Sequence, residues 1–179
     1  MPVMRRHRLA VTFSLCLVTL LLQRAAAAPA EGLPERPGVA TLTLGLLEFT
    51  RWPSPPELLC VSAGGPQARA LASALPSHPL GNRLSLREVP VDGDLPSACD
   101  AMLFEGWADE RQAQLLREHA QRPLLTLGLG AGFCSQGGSV CFGQGPGQPA
   151  FEINTDALAR SGLRVNPRVL LLTRARKPA

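Results

Sequence analysis

Residues 58–76, LLCVSAGGPQARALASALP, contain the unit on which the fold is built. The first six residues form an apolar run that ends at Gly64-Gly65, which is typical of a buried strand. Residues 67–75 are rich in helix-favouring alanine and leucine, and Pro76 ends the segment. A buried strand followed closely by a helix predicts one β–α unit of an α/β sheet.

The same alternation continues along the chain. Further strands are predicted at residues 83–91, 101–104, 123–130 and 151–154, and further helices at residues 108–121 and 155–161. Thr155 is the expected N-cap of the last helix, and Gly162 its C-terminal stop. Residues 134–141 are expected to form a loop or hairpin that turns at Gly137-Gly138. The sequence thus predicts one α/β domain with a central mixed β-sheet flanked by helices.

Residues 39–52 fit two patterns. A leucine at every second position from 42 to 46 is typical of a strand, whereas apolar residues between Val39 and Phe49 recur at helical spacing. The pattern alone leaves both interpretations open. At the other end of the chain, residues 163–172 are largely apolar and are expected to close the fold.

The first 28 residues have the features of a cleaved export signal. Three arginines precede a largely apolar stretch at residues 9–22, and small residues from Ala25 onward offer cleavage sites. Arg24 ends that stretch before the roughly 20 apolar residues of a membrane-spanning helix. We therefore expect a soluble, periplasmic product that is exported and has no stable membrane insertion. In that product residues 29–38 are expected to form a flexible leader. The less favoured alternative is that residues 1–28 remain as an uncleaved membrane anchor.

The charge of the chain changes once the export signal is set aside. Residues 1–28 contain four of the 18 lysine and arginine residues and none of the 14 acidic ones, which leaves 14 basic and 14 acidic residues. A nucleic-acid-binding protein would need a clustered basic stripe, and a formally neutral product does not indicate one. No nucleic-acid partner is expected.

Four cysteines lie outside the export signal, and an oxidising compartment predicts two disulfides from them: Cys60, Cys99, Cys134 and Cys141. Both bonds could act only as structural cross-links. Alternatively, one bond could be redox-sensitive, and an exposed short loop such as residues 134–141 is then the better candidate.

The sequence contains no pattern typical of catalysis or of metal binding. Neither His78 nor His119 has the spacing of a zinc ligand, and no CxxC pair is present. The glycines at 128, 130 and 132 lack the lysine and the spacing of a phosphate-binding loop. A nucleophile elbow is also absent. We expect a non-enzymatic protein with no catalytic residue, no cofactor and no metal.

Recognition residues are expected at Arg51-Trp52-Pro53, on an exposed turn, because tryptophan and arginine are enriched where proteins bind each other. Core packing is the alternative role for Trp52 and for Trp107, the only other tryptophan.

Several segments resemble, in the same order and spacing, the YfiR family of periplasmic regulators. The first are EFTRWP at residues 48–53, LCV at 59–61 and Cys99 before AMLF at 101–104; Gly132-Phe133, Gly137-Gly138 and Phe142 follow. The strongest similarity is FEIN at 151–154 with Asp156, Ala157, SGLRV at 161–165 and LLL at 170–172. The resemblance extends over almost all of residues 39–175, where we expect the YfiR-like domain.

The resemblance implies structural details that the patterns leave open. It implies an α/β fold with residues 39–49 as a helix. It also implies disulfides between Cys60 and Cys99 and between Cys134 and Cys141. One departure is Asp100, which stands where a histidine is common in the family.

The resemblance also implies a function. Members of the family repress an inner-membrane diguanylate cyclase by binding its periplasmic sensor domain, an OmpA-like outer-membrane lipoprotein removes them, and they form homodimers. Residues expected at a partner or ligand site are Arg51, Trp52, Phe151, Glu152, Asn154 and Leu158. The alternative is a periplasmic sensor of an amino-acid-like small molecule, whose pocket would use Arg51, Trp52, Glu152 and Asn154.

Overall fold

The computed structural model describes residues 37–145 and 150–173 of the chain. The expected export signal and most of the expected leader lie outside these residues. The strands are β1 (Thr50–Arg51), β2 (Leu58–Ser62), β3 (Ser85–Val89), β4 (Ala101–Phe104), β5 (Leu125–Leu129), β6 (Val140–Phe142), β7 (Phe151–Ile153) and β8 (Arg164–Val165). The helices are α1 (Val39–Phe49), α2 (Pro66–Ala74), α3 (Asp109–Glu118), α4 (Ala131–Ser135) and α5 (Thr155–Ser161), with 3-10 helices at Leu75–Ser77 and Pro167–Thr173.

Six of the strands form one sheet in the order β3-β2-β4-β5-β6-β7. All neighbouring pairs run parallel except β6 and β7, which are antiparallel. The predicted α/β fold with a central mixed sheet flanked by helices is therefore confirmed. Strands β1 and β8 form a separate two-stranded antiparallel sheet.

The central strands are buried on both faces of the sheet. Alternate residues of one strand enter different cores, so that Leu59 and Val61 pack on one face while Cys60 packs on the other. Burial on both faces explains why these strands are continuous apolar runs rather than alternating ones. One core is covered by α1, α2 and α5, and the opposite core by α3 and α4.

The ambiguous segment at residues 39–49 is a helix, as the resemblance implied. Seven of its eleven residues are buried, and its leucines at 42, 44, 46 and 47 all lie in the core. A helix that is buried nearly all round has no polar face, so its helical period is weak. Gly45 lets the Leu172 side chain of the C-terminal 3-10 helix pack closely on α1, since a Cβ there would lie 2.6 Å from that side chain and displace it.

Of the two alternatives expected for residues 134–141, the structure shows the loop and not the hairpin. Residues 131–135 form helix α4, and β6 then runs parallel to β5, so the segment is a short crossover. The Phe133 ring explains why the segment is a crossover rather than a hairpin. The ring is buried against Gly128 and Gly138, and a Cβ atom on either glycine would collide with it. This anchor holds the chain in a helical turn over the sheet, and the antiparallel pairing lies between β6 and β7 instead.

Both disulfides implied by the resemblance are present. The Cys60–Cys99 bond links residues 39 apart in the sequence, and both of its cysteines are buried. The Cys134–Cys141 bond links residues only seven apart, within the crossover. Next to the first bond, the Asp100 carboxylate accepts hydrogen bonds from the backbone N–H groups of Glu57, at 2.8 Å, and Leu58, at 3.0 Å. In this chain Asp100 therefore holds the start of β2 beside β4.

The two disulfides should contribute unequally to stability. In the chain-entropy account a bond that closes a longer loop constrains the unfolded chain more, so removal of Cys60–Cys99 should cost about 4 kcal/mol and removal of Cys134–Cys141 about 2.5 kcal/mol. Urea unfolding of the wild type and of the double variants C60A/C99A and C134A/C141A measures the free energy of unfolding that each disulfide contributes. An equal or larger loss from the second variant would contradict the loop-length account.

Candidate functional site

An apolar groove of about 520 Å³ lies among the last elements of the described chain. We call it the C-terminal groove. Its lining comes from the end of β7, α5, β8 and the C-terminal 3-10 helix, and its apolar lining includes Ile153, Leu158, Leu163, Val165, Pro167 and Leu170. A concave apolar surface of this size is typical of a site that accepts a small ligand or the side chains of a partner.

Local signals in the sequence set the walls of this groove. Helix α5 starts at Asn154, whose side-chain oxygen accepts a hydrogen bond from the Ala157 N–H at 3.1 Å. It ends at Gly162, which has φ of 73°, a left-handed conformation that glycine adopts without strain. The chain then reverses into β8, where it pairs with β1. The expected C-terminal stop at Gly162 is confirmed, whereas the N-cap is Asn154 rather than Thr155 because the asparagine side chain makes the capping bond.

Two arginines face each other at the side of the groove. Arg51 of β1 and Arg164 of β8 are directly opposite in the antiparallel register, and both are exposed. They also line a second cavity of about 220 Å³ together with Val165, Asn166 and Pro167. Within residues 37–145 and 150–173 neither arginine forms an ion pair. Like charges directly opposite on neighbouring strands are destabilising, so this pair marks a place that favours an anionic group.

The two cavities include two of the six residues expected at the site. Leu158 lines the C-terminal groove, and Arg51 lines the smaller cavity. Glu152 is exposed on the edge strand β7. Phe151 is buried in the core on the side of α1. These positions place the expected residues around one end of the domain without bringing their side chains together.

Trp52 has a structural role at the end of α1. Its indole N–H donates a hydrogen bond to the Leu47 carbonyl at 3.1 Å, and the neighbouring Thr50 hydroxyl donates to the Leu46 carbonyl at 2.7 Å. Both carbonyls belong to the last turn of the helix, where backbone acceptors lack intrahelical partners. The partly buried ring also packs against the core. Trp107 is a core residue as well, and its indole N–H donates to the buried Ser62 hydroxyl at 2.6 Å.

Asn154 joins the groove to the crossover that contains the second disulfide. While its oxygen caps α5, its side-chain NH₂ group donates a hydrogen bond to the Cys134 carbonyl at 3.1 Å. The backbone N–H of Asn154 donates to the Ser139 carbonyl at 2.9 Å. One side chain therefore fixes the start of the helix that lines the groove against the loop closed by Cys134–Cys141.

The two histidines in the described residues have different surroundings. The pKa of His119 is lowered, first by burial and then by the neighbouring Arg122 guanidinium, so burial and charge both favour the neutral ring. His78 is partly buried, with Nε2 3.7 Å from a carboxylate oxygen of Glu48. Among the described residues no group of three or more histidine, cysteine or acidic side chains could hold a metal ion. In the same part of the chain no helix is long and apolar enough to cross a membrane.

Sequence reasoning missed the residues that form most of the groove. Arg164, Asn166 and Pro167 line one or both cavities but were expected only to help close the fold. A signal was present, because two arginines and an asparagine interrupt the largely apolar closing segment at residues 163–172. Its meaning depends on the pairing of β8 with β1, which are separated by more than 100 residues.

Comparison with known families agrees with this architecture. The family model described as YfiR/HmsC-like matches residues 38–174, more than half of the chain, and the chain therefore belongs to that family. The YfiR family is one of periplasmic regulators.

Two substitutions at Asn154 should separate its two hydrogen bonds. Asn154→Ala removes both the helix cap and the bond to the Cys134 carbonyl, and it should lower the free energy of unfolding by about 1–3 kcal/mol. Asn154→Asp keeps a capping oxygen but lacks the NH₂ donor, so it should cost about 1 kcal/mol or less. Urea unfolding measures both losses. Equal losses in the two variants would contradict a separate contribution from the cap.

Proposed function

We propose that this member of the YfiR/HmsC-like family is a non-enzymatic periplasmic regulator that represses an inner-membrane diguanylate cyclase by binding its periplasmic sensor domain. Repression lowers cyclic di-GMP and with it biofilm formation. The observation that carries the proposal is the C-terminal groove, beside which Arg51 and Arg164 lie opposite each other without an ion pair in the described residues.

The groove has the composition of a protein-binding site. An apolar centre lined by Leu158, Leu163 and Val169 is bordered by exposed charge, and stable protein interfaces combine a desolvated apolar centre with a polar rim. Arginine is also one of the residues that contribute most binding energy at such interfaces. Of the expected site residues, Arg51 and Leu158 are therefore proposed to contact the partner, and exposed Glu152 lies on the neighbouring edge strand. Trp52 instead bonds to the end of α1, Phe151 packs in the core, and Asn154 caps α5, a helix that lines the groove.

Repression requires a difference in affinity between two states of the partner. A bound protein shifts an equilibrium only by as much as it binds one conformer more tightly than the other, so the groove has to fit the inactive sensor domain better. An OmpA-like outer-membrane lipoprotein would relieve repression by occupying the same surface. A homodimer of this chain would present the surface twice, and simultaneous contacts with a two-fold symmetric partner would strengthen binding.

The second disulfide supplies a route for redox control. Reduction of Cys134–Cys141 would loosen the crossover to which the Asn154 side chain is bonded. Because Asn154 also caps α5, the wall of the groove that contains Leu158 would lose part of its support. The redox state of one bond would thereby alter affinity for the partner.

Substitution of Arg164 should separate function from stability. Arg164→Glu places a carboxylate opposite Arg51, and an opposite-charge pair across strands should raise the free energy of unfolding by about 0.2–1 kcal/mol. Reversal of the charge should weaken partner binding at least tenfold, because a like charge then meets the anionic group of the partner. The measurement is cellular cyclic di-GMP in a strain deleted for this gene and complemented with each variant.

The matched control is Arg83→Glu, at an exposed arginine outside the linings of the two cavities. Deletion should raise cyclic di-GMP. Complementation with the wild-type gene or the control variant should return cyclic di-GMP to the parental level, whereas Arg164→Glu should leave it raised. No rise on deletion, with the protein present and folded in the parent strain, would contradict cyclase repression itself.

The second candidate function is a periplasmic sensor of an amino-acid-like molecule. It is favoured by the adjacency of two cavities, since Arg51 and Arg164 suit a carboxylate while the apolar groove suits a side chain. A thermal-shift screen of amino acids distinguishes it. A ligand at 100 times its dissociation constant should stabilise the protein by about 2.7 kcal/mol, and Arg164→Glu should abolish that shift. A screen without any shift would contradict the sensor.

A further inference from the structure

The C-terminal groove and the smaller cavity beside it adjoin along one segment of the chain. Four of the five residues that line the smaller cavity also line the groove, namely Arg164, Val165, Asn166 and Pro167. The fifth is Arg51, which lies directly opposite Arg164 across β1 and β8. The positive charge of the arginine pair is therefore next to the apolar groove and not on a separate surface.

The polar side chains of the groove are concentrated in this shared segment. Among the residues that line the groove, Thr155, Arg164 and Asn166 have polar side chains, and the last two belong to the shared segment. The other lining residues are apolar or glycine. The groove thus combines an apolar wall with a cationic segment, which is the pattern expected for a ligand with an anionic head and an apolar remainder.

The free polar groups of the shared segment are hydrogen-bond donors. Side chains directly opposite on neighbouring antiparallel strands start about 5 Å apart, so the Arg51 and Arg164 guanidinium groups can reach one anion. Within the part of the chain that the structure describes, neither group has an ion-pair or hydrogen-bond partner. The Asn166 side-chain oxygen accepts a hydrogen bond from the Arg168 N–H at 2.9 Å, which leaves its NH₂ group to donate. An ionised carboxylate, which only accepts hydrogen bonds, matches this set.

The lining does not suit a ligand that is also a cation. Among the described residues, no aspartate or glutamate lines either cavity. An amino acid would bring an ammonium group, and a charged group that leaves water without a partner is strongly disfavoured. A carboxylate joined to a hydrocarbon chain brings no such group. The lining therefore favours an amphiphilic anion over a zwitterion.

We propose that the C-terminal groove binds a free fatty acid, with its carboxylate at Arg51 and Arg164 and its acyl chain on the apolar wall. A hydrocarbon chain leaves no polar group unpaired against apolar side chains. An extended peptide in the same place would bury amide groups that these side chains cannot hydrogen-bond, at a cost in affinity.

A bound fatty acid would exclude the side chains of a partner protein from the same apolar wall. Occupancy of the groove would then relieve repression by competition, and this consequence rests on the proposed function. The reaction class that supplies such a ligand is hydrolysis of the ester bonds of membrane phospholipids. Fatty-acid binding itself involves this chain alone and stands whatever the partner is.

Isothermal titration calorimetry tests the proposal on the purified full chain with both disulfides formed. The probes are octanoate, decanoate and dodecanoate, each at concentrations at which it is monomeric. A single dodecanoate should bind per chain, and each added methylene group should tighten binding by about twofold to fourfold, because burial of hydrocarbon grows with chain length. Dodecanol has the same chain without the charge, and it should bind about tenfold more weakly because hydrogen bonds to charged groups are the stronger ones.

Two pairs of variants locate the ligand in the groove. Leu170 lines the groove and the adjacent Leu171 does not, so Leu170→Ser should weaken dodecanoate binding about fivefold, whereas Leu171→Ser should stay within about twofold of the wild type. Arg164→Gln should weaken binding about tenfold, and its control Arg83→Gln, outside both linings, should stay within about twofold. All four side chains are exposed, and thermal unfolding checks that each variant is folded.

Three results would overturn the proposal. The first is no binding of dodecanoate to the wild type. The second is equal affinity of the wild type for dodecanoate and dodecanol, or of the wild type and Arg164→Gln for dodecanoate, which would show that the arginines do not recognise the carboxylate. The third is tighter binding of leucine than of dodecanoate, which would assign the groove to an amino-acid-like ligand. None of these results depends on cyclic di-GMP after deletion of the gene, so the two proposals fail separately.

Discussion

The antiparallel pairing of β1 with β8 is the constraint on which the candidate site depends. Only two residues of each strand take part, with Thr50 opposite Val165 and Arg51 opposite Arg164, and the Asn166 N–H extends the contact by donating to the Phe49 carbonyl at 2.8 Å. This short pairing brings β8 back beside the C-terminal end of α1. Without it, neither the C-terminal groove nor the cavity between the two arginines would exist, because β8 supplies lining to both. The Gly45–Leu172 contact fixes the same segment a second time, so the groove wall is held at both of its ends.

Rigid support reaches the groove from the opposite core as well. Phe133, packed against Gly128 and Gly138, anchors the crossover to the sheet, and the Cys134–Cys141 bond closes that crossover. Asn154 then connects the Cys134 carbonyl to the first turn of α5. Only these few direct contacts separate the reducible bond from the helix that lines the groove. They form a physical connection through which the state of the disulfide can act on the groove.

The elements that could be predicted from the sequence are those whose pattern is decided locally. Buried parallel strands are continuous apolar runs, and β2, β4 and β5 were found for that reason. Segments whose structure depends on burial or on the contacts of one side chain were not: α1 lost its helical period to burial on nearly all sides, and the crossover depends on the space that Gly128 and Gly138 leave for the Phe133 ring. The groove could not be predicted at all, since its walls meet only through pairing between residues more than 100 positions apart.

The places where this chain departs from the rules of stable folding coincide with its candidate site. Sequences whose local choices agree with the fold break those rules mainly at functional positions. Here two arginines face each other across strands, two leucines are exposed side by side, and a 3-10 helix continues for seven residues, although such helices are seldom longer than three or four. Each feature alone lowers the stability or solubility of the free protein, and each would be relieved by contact with a surface that is anionic and partly apolar. Since all three lie within residues 51 and 164–173, one binding event would relieve them together, which is the physical reason to regard this end of the domain as its interaction surface.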